Sequence, residues 1–544
     1  MVRSSHRPLP LWSLLGLVLV VAIGAARIIA TYEVFSETFD EGVHIAAGME
    51  LLDRGRFTYE PKHPPLARAA VALGPWLSGV GSQGVGNIWG EGRSIIHAVN
   101  ADRTLFLARL GVLPFFVLAA CLVWAWARRI AGDGAGLAAV TLFTTAPPVL
   151  AHSSVATTDM ALVATLIALL FAAMLWVESP TTKRSVWLGI AGAAALTAKL
   201  SSIAFFGLTA LLVLALRHVW AARDAAPAPG FAGRLARWLT LTPAHLRRLL
   251  VVAPVAFLAV WTVYRFQVGS LRGVPFPLTT LIQGVRDLAA HNGLGHASFL
   301  LGEAYADGRW LFFPVGLAVK SPLTLLVFGL AGAWLLARRS RASRDWQIAV
   351  PLLLAVAILA VSIPARINIG VRHVLPVFAT LAIAGGVAVS AAFARWKTPA
   401  ARSLLAALAT AGLVSTFRVH PDYLAYFNEL AGAHPERVLV DSDLDWGQDL
   451  RRLRDTIQAR GIDSVTTAYF GSAVPGMYGI PVKHEWVRGD EAHGWFAVSQ
   501  TRLQRGDAVL RNGVWTLYPE ALAWLRDREP EARIGRSILL YRLP

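Results

Sequence analysis

A single cysteine stands in 544 residues, and that scarcity removes whole classes of chemistry. Cys121 has no partner for an intrachain disulfide, and no Cys-based zinc site can be assembled. Lying inside an apolar run, it reads as a small buried hydrophobe. Charge is scarce as well. Asp, Glu, Lys and Arg make up 16% of the chain, whereas soluble domains carry about 25%. With a mean hydropathy of +0.51, the deficit excludes an ordinary soluble protein and points to an integral membrane protein. Acids are the scarcer sign, 34 against 51 Lys and Arg. A net charge of +17 would suggest nucleic acid if the chain were soluble, but the placement of the charges argues otherwise.

Long apolar runs are what the chain has in abundance. At about 20 residues per crossing, they predict about eleven spans: 11–31, 105–127, 135–151, 159–177, 186–200, 202–217, 249–266, 315–337, 347–364, 373–394 and 399–417. The first run follows Arg3 and Arg7 and exceeds the roughly 7–15 residues of a cleaved signal's apolar region, so it reads as an uncleaved signal anchor. Lys and Arg in short loops set orientation. With the N-terminus cytoplasmic, the inside segments hold nineteen cations and four acids, +15 of the net +17. Among them are Arg223, Arg234 and Arg237, with Asp224, in a long loop that also carries the linker 225–230. The basicity is a topology signal, and a nucleic-acid partner is not expected.

The outer segments are where polar chemistry gathers. The first outer loop, 32–104, holds two short amphipathic stretches, 41–54 and 65–78. Asp40 and Glu41 directly follow the first span. A carboxylate at the water–lipid boundary can take a proton from a hydroxyl or amine as a general base. Alternatively, both acids cap a helix beginning near Gly42. Lys62-His63-Pro64-Pro65 is a cationic turn stiffened by its prolines. It can present an amine to a phosphate, or simply start a helix. Asp159 opens the fourth span and Lys199 closes the fifth. Ionisable residues at such ends either snorkel to the interface or do chemistry. Arg366, Arg372 and His373 meet at another outer turn and suit an anion; positive-inside topology does not account for them.

Beyond residue 417 the chain loses its membrane character. Residues 437–441 read as a strand, 448–460 as a helix and 464–470 as a second strand, so 418–544 is expected to be a small soluble α/β domain. It is extracytoplasmic if 399–417 crosses. The run Asp441-Ser-Asp443-Leu-Asp445-Trp-Gly-Gln-Asp449 looks like a calcium loop but fails as one: Trp446 stands where glycine is needed and Arg452 where glutamate is. Acids at a strand end can bind polar ligands or serve the loop itself. Trp446, Tyr469, Phe470, Tyr478 and Trp486 can stack on sugars or form a small core.

An Asp-Glu pair after the first span, a Pro-Pro turn some 20 residues on, and a Thr-Asp opening the fourth span resemble the GT-C superfamily of membrane glycosyltransferases, closest to the protein O-mannosyltransferase and lipid A aminoarabinose transferase group. The latter tend to carry Lys directly before Pro-Pro-Leu, where this chain has His63. The resemblance implies an α-helical polytopic fold over 1–417, with 418–544 appended, and a hexosyl- or pentosyltransferase using a polyprenyl-phosphate sugar outside the cytoplasm. Mapped onto this chain, Asp40 is the base for an inverting attack and Glu41 holds donor or acceptor. Lys62, His63, Lys199, Arg366 and Arg372 meet the phosphate, Lys62 and Arg372 foremost. Membrane lipids are partners and the acceptor is open; no cofactor is expected, and a divalent metal is left open without being indicated. The expected location is the inner (plasma) membrane. Competing readings are a secondary transporter or lipid flippase, an oligosaccharide ligase, and a non-catalytic envelope binding protein using the tail. The absence of internal repeats and of mid-membrane charge argues against transport.

Overall fold

The computed structural model describes residues 9–222 and 242–544. Arg3, Arg7, Arg223, Arg234, Arg237, Asp224 and the linker 225–230 lie outside the described residues. Each expected span overlaps helix, although 315–337 is divided at Ser321 and Pro322 between Phe312–Lys320 and Leu323–Ser343. Among the described residues, eight helices are long and apolar enough to cross a membrane, nine when the bent pair Asp133–Thr144 and Pro147–Ser153 counts as one. The other two expected spans, Thr182–Ala198 and Trp346–Ser362, have 17 residues each. At 1.5 Å per residue that is about 26 Å, short of a core about 30 Å thick. The last expected span is Pro399–Arg418 and meets the criterion. The 64° bend falls at Pro147 and Pro148, where an amide donor is missing and the ring crowds the preceding turn.

Outward faces of the helices expose large apolar side chains such as Trp187, Leu250, Leu330 and Trp334. In water so much contiguous apolar surface would drive association; against lipid it carries no such cost. The chain is a multi-pass membrane protein. Between helices, small residues permit close approach, as they do in lipid-embedded bundles. Leu323–Ser343 crosses Pro376–Arg395 where a Cβ on Gly332 would sit 1.8 Å from Ala384 O.

The segment 32–104 folds into three short helices, Glu41–Arg54, Pro65–Leu77 and Ile88–His97. The first is gripped on two sides by backbone. A Cβ on Gly48 would lie 2.0 Å from Arg68 O, and one on Gly92 would lie 2.3 Å from Gly42 O. These contacts fix the start of Glu41–Arg54, and with it Asp40. Residues 267–312 form the hairpin Val268–Leu271/Val274–Pro277, the helix Thr279–Leu294 and the ladder Ser298–Leu300/Glu303–Tyr305.

After residue 418 the chain builds a mixed five-stranded sheet. Its order is Ala532–Ile534, Ile538–Leu543, Gly494–Ser499, Val465–Ala468, Val482–Glu485, with the last two pairings parallel. Helix Leu450–Ala459 packs Leu450, Leu453 and Ile457 onto one face with Val465, Ile538 and Leu540; Phe496, Val498, Leu539 and Tyr541 form the other core. The expected helix and second strand are present. The expected strand at 437–441 is not: those residues follow the turn Pro435–Arg437 and enter the turn Asp441–Asp443. Short apolar runs are ambiguous between strand and other buried structure, and here Leu439 and Val440 are buried by packing without a ladder.

Candidate active site

Asp40 occupies the N-cap of Glu41–Arg54, yet its side chain makes no capping bond. Its Oδ2 instead accepts from Arg372 Nη1 at 2.7 Å. Arg372 sits in a short turn, Val371–Val374, directly before the helix Pro376–Arg395. The same Nη1 lies 4.0 Å from Asp159 Oδ2, and Asp159 Oδ1 accepts from Lys199 Nζ at 2.5 Å. An alternating row, Asp40–Arg372–Asp159–Lys199, therefore joins four distant parts of the chain. Burial disfavours the Arg372 charge, but Asp40 and Asp159 outweigh it and push its pKa up.

The row borders a cavity of about 730 Å³ whose wall includes Asp40, Lys62, His63, Lys199, Arg372 and His373. One side of the cavity is apolar, with Leu200, Ile203, Phe205, Phe313 and Val361; Phe39 and Trp89 also line it. Lys62 Nζ pairs with Glu60 at 3.0 Å. Burial opposes ionisation of Glu60, but Arg68 and Lys62 hold it down at about 2. His63 is kept neutral, first by burial and then by Arg68 and Lys199, which push its pKa well down; for His373 burial acts first and then Lys199 and Arg372. Around this cavity Lys62, Arg68, Lys199 and Arg372 face Asp40, Glu60 and Asp159, an excess of one positive charge. In a partly dry pocket such an excess suits an anion.

Several sequence-stated roles do not fit where the structure puts the residues. Glu41, expected to hold donor or acceptor, is fully buried away from the cavity. Its oxygens accept from Arg109 Nε and Nη2 at 2.8 and 2.9 Å and from the Thr38 and Ala156 amides at 2.8 Å each. Nothing remains for a ligand. Arg366, expected at the phosphate, points to the surface and pairs with Asp307 and Gly293 O. Asp441, Asp443 and Asp445 are buried in a junction. Asp443 Oδ1 accepts from Val371 N at 3.1 Å, Asp445 Oδ2 from Thr501 N at 2.9 Å, and Asp441 Oδ2 faces Arg505 at 3.3 Å.

Other residues of the site were not singled out from sequence. Arg68 donates to His44 Nδ1 at 3.0 Å and pairs with Glu60, while His291 and His296 line the cavity, pushed down to about 4 chiefly by burial. A signal for Arg68 was available: like Arg372, it lies in a segment expected outside, against the positive-inside bias. The histidines had none. Among the described residues, no group of three or more His, Cys, Asp or Glu could hold a metal ion.

Residues 94–242 match the family model of dolichyl-phosphate-mannose-protein mannosyltransferases. No curated protein sequence matches. Among solved structures, the chain is similar to ArnT from Cupriavidus metallidurans bound to undecaprenyl phosphate (17% identity, 96% of this chain, 97% of that one, TM-score 0.48). It is similar also to the oligosaccharyltransferase AglB from Archaeoglobus fulgidus in complex with an inhibitory peptide and a dolichol-phosphate (12%, 94%, 74%, 0.45). A third is the S. cerevisiae protein O-mannosyltransferase Pmt1-Pmt2 complex bound to the sugar donor (15%, 54%, 39%, 0.34). Through the family match at 94–242 and its outer-loop motifs, the chain resembles the GT-C membrane glycosyltransferases of the protein O-mannosyltransferase group.

Proposed function

We propose that the protein transfers a sugar from a polyprenyl-phosphate-linked donor to an acceptor at the outer face of the cytoplasmic membrane, with inversion. The observation that carries this reading is the approach of Asp40 and Arg372 to 2.7 Å on the wall of a cavity that also holds Lys62 and Lys199. Asp40 takes the proton of the acceptor hydroxyl or amine as that atom attacks the anomeric carbon. The bond from that carbon to the phosphate oxygen breaks on the opposite face, and the electron pair leaves with the polyprenyl phosphate. Arg372, Lys199 and Lys62 stand where the developing phosphate charge needs fixed cations. Asp159 holds Arg372 and Lys199 in place, and neutral His63 and His373 are available to sugar hydroxyls. The apolar wall at Leu200, Ile203 and Phe205 suits the isoprenoid.

The outer location rests on the distribution of Lys and Arg, and nucleotide sugars are absent from that side. Residues 1–417 form the transferase unit in this reading, and 418–544 a soluble unit on the same face. The step uses side-chain cations and no added cofactor; loss of activity in chelator, restored by a divalent ion, would contradict that part. The test is transfer from a polyprenyl-phosphate sugar by the purified chain in lipid nanodiscs. Asp40→Asn is expected to lower turnover by about 10²–10⁴-fold with unchanged thermal unfolding; near-wild-type turnover would remove the general-base role. Mass spectrometry of envelope glycans with and without the protein identifies sugar and acceptor.

A further inference from the structure

The tail turn 441–449 reaches the cavity from outside it, and its contacts converge on two residues. Trp446 is buried at 1% exposure, and the face of its ring lies 4.4 Å from the Arg372 guanidinium carbon. Its carbonyl accepts from Phe39 N at 2.9 Å, one residue before Asp40. Two residues on, Gln448 O accepts from Ser36 N at 3.0 Å. On the other side Asp443 Oδ1 accepts from Val371 N at 3.1 Å, one residue before Arg372, and Ser442 Oγ donates to Ile369 O. One turn thus grips the backbone beside both Asp40 and Arg372.

The turn is stiff enough to act as a template. Trp446 N donates to Gln448 Oε1 at 2.8 Å and Gln448 Nε2 to Leu444 O at 2.9 Å. Asp445 is tied to Thr501 through its side chain and its carbonyl, at 2.9 and 3.0 Å. Arg372, by contrast, is sparsely held: Nε is buried without a hydrogen-bond partner among the described residues. Its contacts with Asp40 and Asp159 both run through Nη1, and the indole face adds a restraint on the guanidinium plane that those contacts do not supply. An aromatic face attracts a desolvated cation and leaves its N–H groups free at the edges. That is the presentation a tetrahedral oxyanion requires.

We infer that Trp446, with its turn, is a positioning residue: it sets the orientation of Arg372 and its separation from Asp40, so the tail completes the transfer site. This inference rests on the transferase reading above. Trp446 touches no reacting atom and acts through Arg372.

The test compares Trp446→Phe, Trp446→Leu, Arg372→Gln and the Trp446→Leu/Arg372→Gln double variant in the full chain, reading transfer from a polyprenyl-phosphate sugar and retention of polyprenyl phosphate. Trp446→Phe keeps a ring face and should stay within about threefold of wild type, while Trp446→Leu should lose about 10–100-fold in kcat/KM. In the Arg372→Gln background the same Leu substitution should cost less than about threefold, because the residues act as one unit. A merely structural tryptophan gives additive losses and a Phe variant no better than Leu, and either result overturns the inference. If wild-type protein neither transfers sugar nor retains polyprenyl phosphate, it is the transferase reading that falls. Should Trp446→Leu fail to fold, Asp443→Ala carries the test. It removes the acceptor for Val371 N–H, and it should speed hydrogen exchange in the peptide holding Val371 and lower transfer together. Exchange without a change in transfer counts against the inference.

Discussion

Two acid-rich stretches, 37–41 and 441–449, look alike in sequence, each with carboxylates beside aromatics, and they meet in the fold through Phe39 N–H and Trp446 O. Their carboxylates are held differently. Asp40 keeps a face on the cavity and is matched by a guanidinium. In the tail turn, Asp441, Asp443 and Asp445 accept from the amides of Ser442, Val371 and Thr501, and Asp449 accepts from Ser537 Oγ at 2.7 Å. A carboxylate that borders a cavity can meet a substrate or a proton there. One satisfied by backbone amides cannot do so without opening the fold. Glu41 and Asp441 also meet guanidinium groups, of Arg109 and Arg505, so access to the cavity, and not the sequence neighbourhood, sets Asp40 apart from the buried carboxylates.

The largest break of this contrast is within the first stretch itself. Glu41→Leu leaves Arg109 buried and uncompensated, at a cost of about 3–5 kcal/mol, so the variant should accumulate poorly and unfold well below wild type in a detergent thermal melt. A melt equal to wild type would remove Glu41 from the structural side of the comparison. Next is Asp445→Ala, which strands the Thr501 and Gly447 amides and should cost about 1–3 kcal/mol in the same measurement.

Glu37 sharpens the comparison through pH. Burial first, then the neighbouring Glu41, push its carboxyl up to about 8. Over the interval from its ordinary value to about 8 the folded protein holds a proton that the unfolded chain has lost. Its stabilisation is therefore complete below the ordinary carboxylate range and disappears as pH rises through about 8. Other buried groups titrate near this range, Asp445 among them, pushed up to about 7 chiefly by burial, so the readout is the difference between wild type and Glu37→Gln from about pH 7 to 9. The wild-type midpoint should fall relative to that of Glu37→Gln as pH rises through about 8 and then keep a constant offset. A difference that does not change with pH would contradict the assignment. The smallest effect belongs to Arg366→Ala. Its partner Asp307 is largely exposed, so stability should move by no more than about 1 kcal/mol and transfer by less than about twofold.

That this is a multi-pass helical protein, and roughly where its helices lie, was legible from the sequence alone. Apolar run length and charge placement are one-dimensional quantities, and a bilayer reads them directly. The lengths of Thr182–Ala198 and Trp346–Ser362 were less legible, because helix ends depend on local turns. Likewise the buried Leu439 and Val440 look like a strand until packing is known. Asp40, Lys62, His63, Lys199, Arg372 and His373 could be listed from residue type and outer placement. Only tertiary structure decided that they share one cavity wall while Glu41 and Arg366 do not. Asp40 and Glu41 are neighbours in the chain, and a helix start turns one toward the cavity and the other into Arg109. It also decided that a tail turn resembling a failed calcium loop lies under Arg372. That contact spans from residue 372 to residue 446, and no local pattern encodes a distance of that kind.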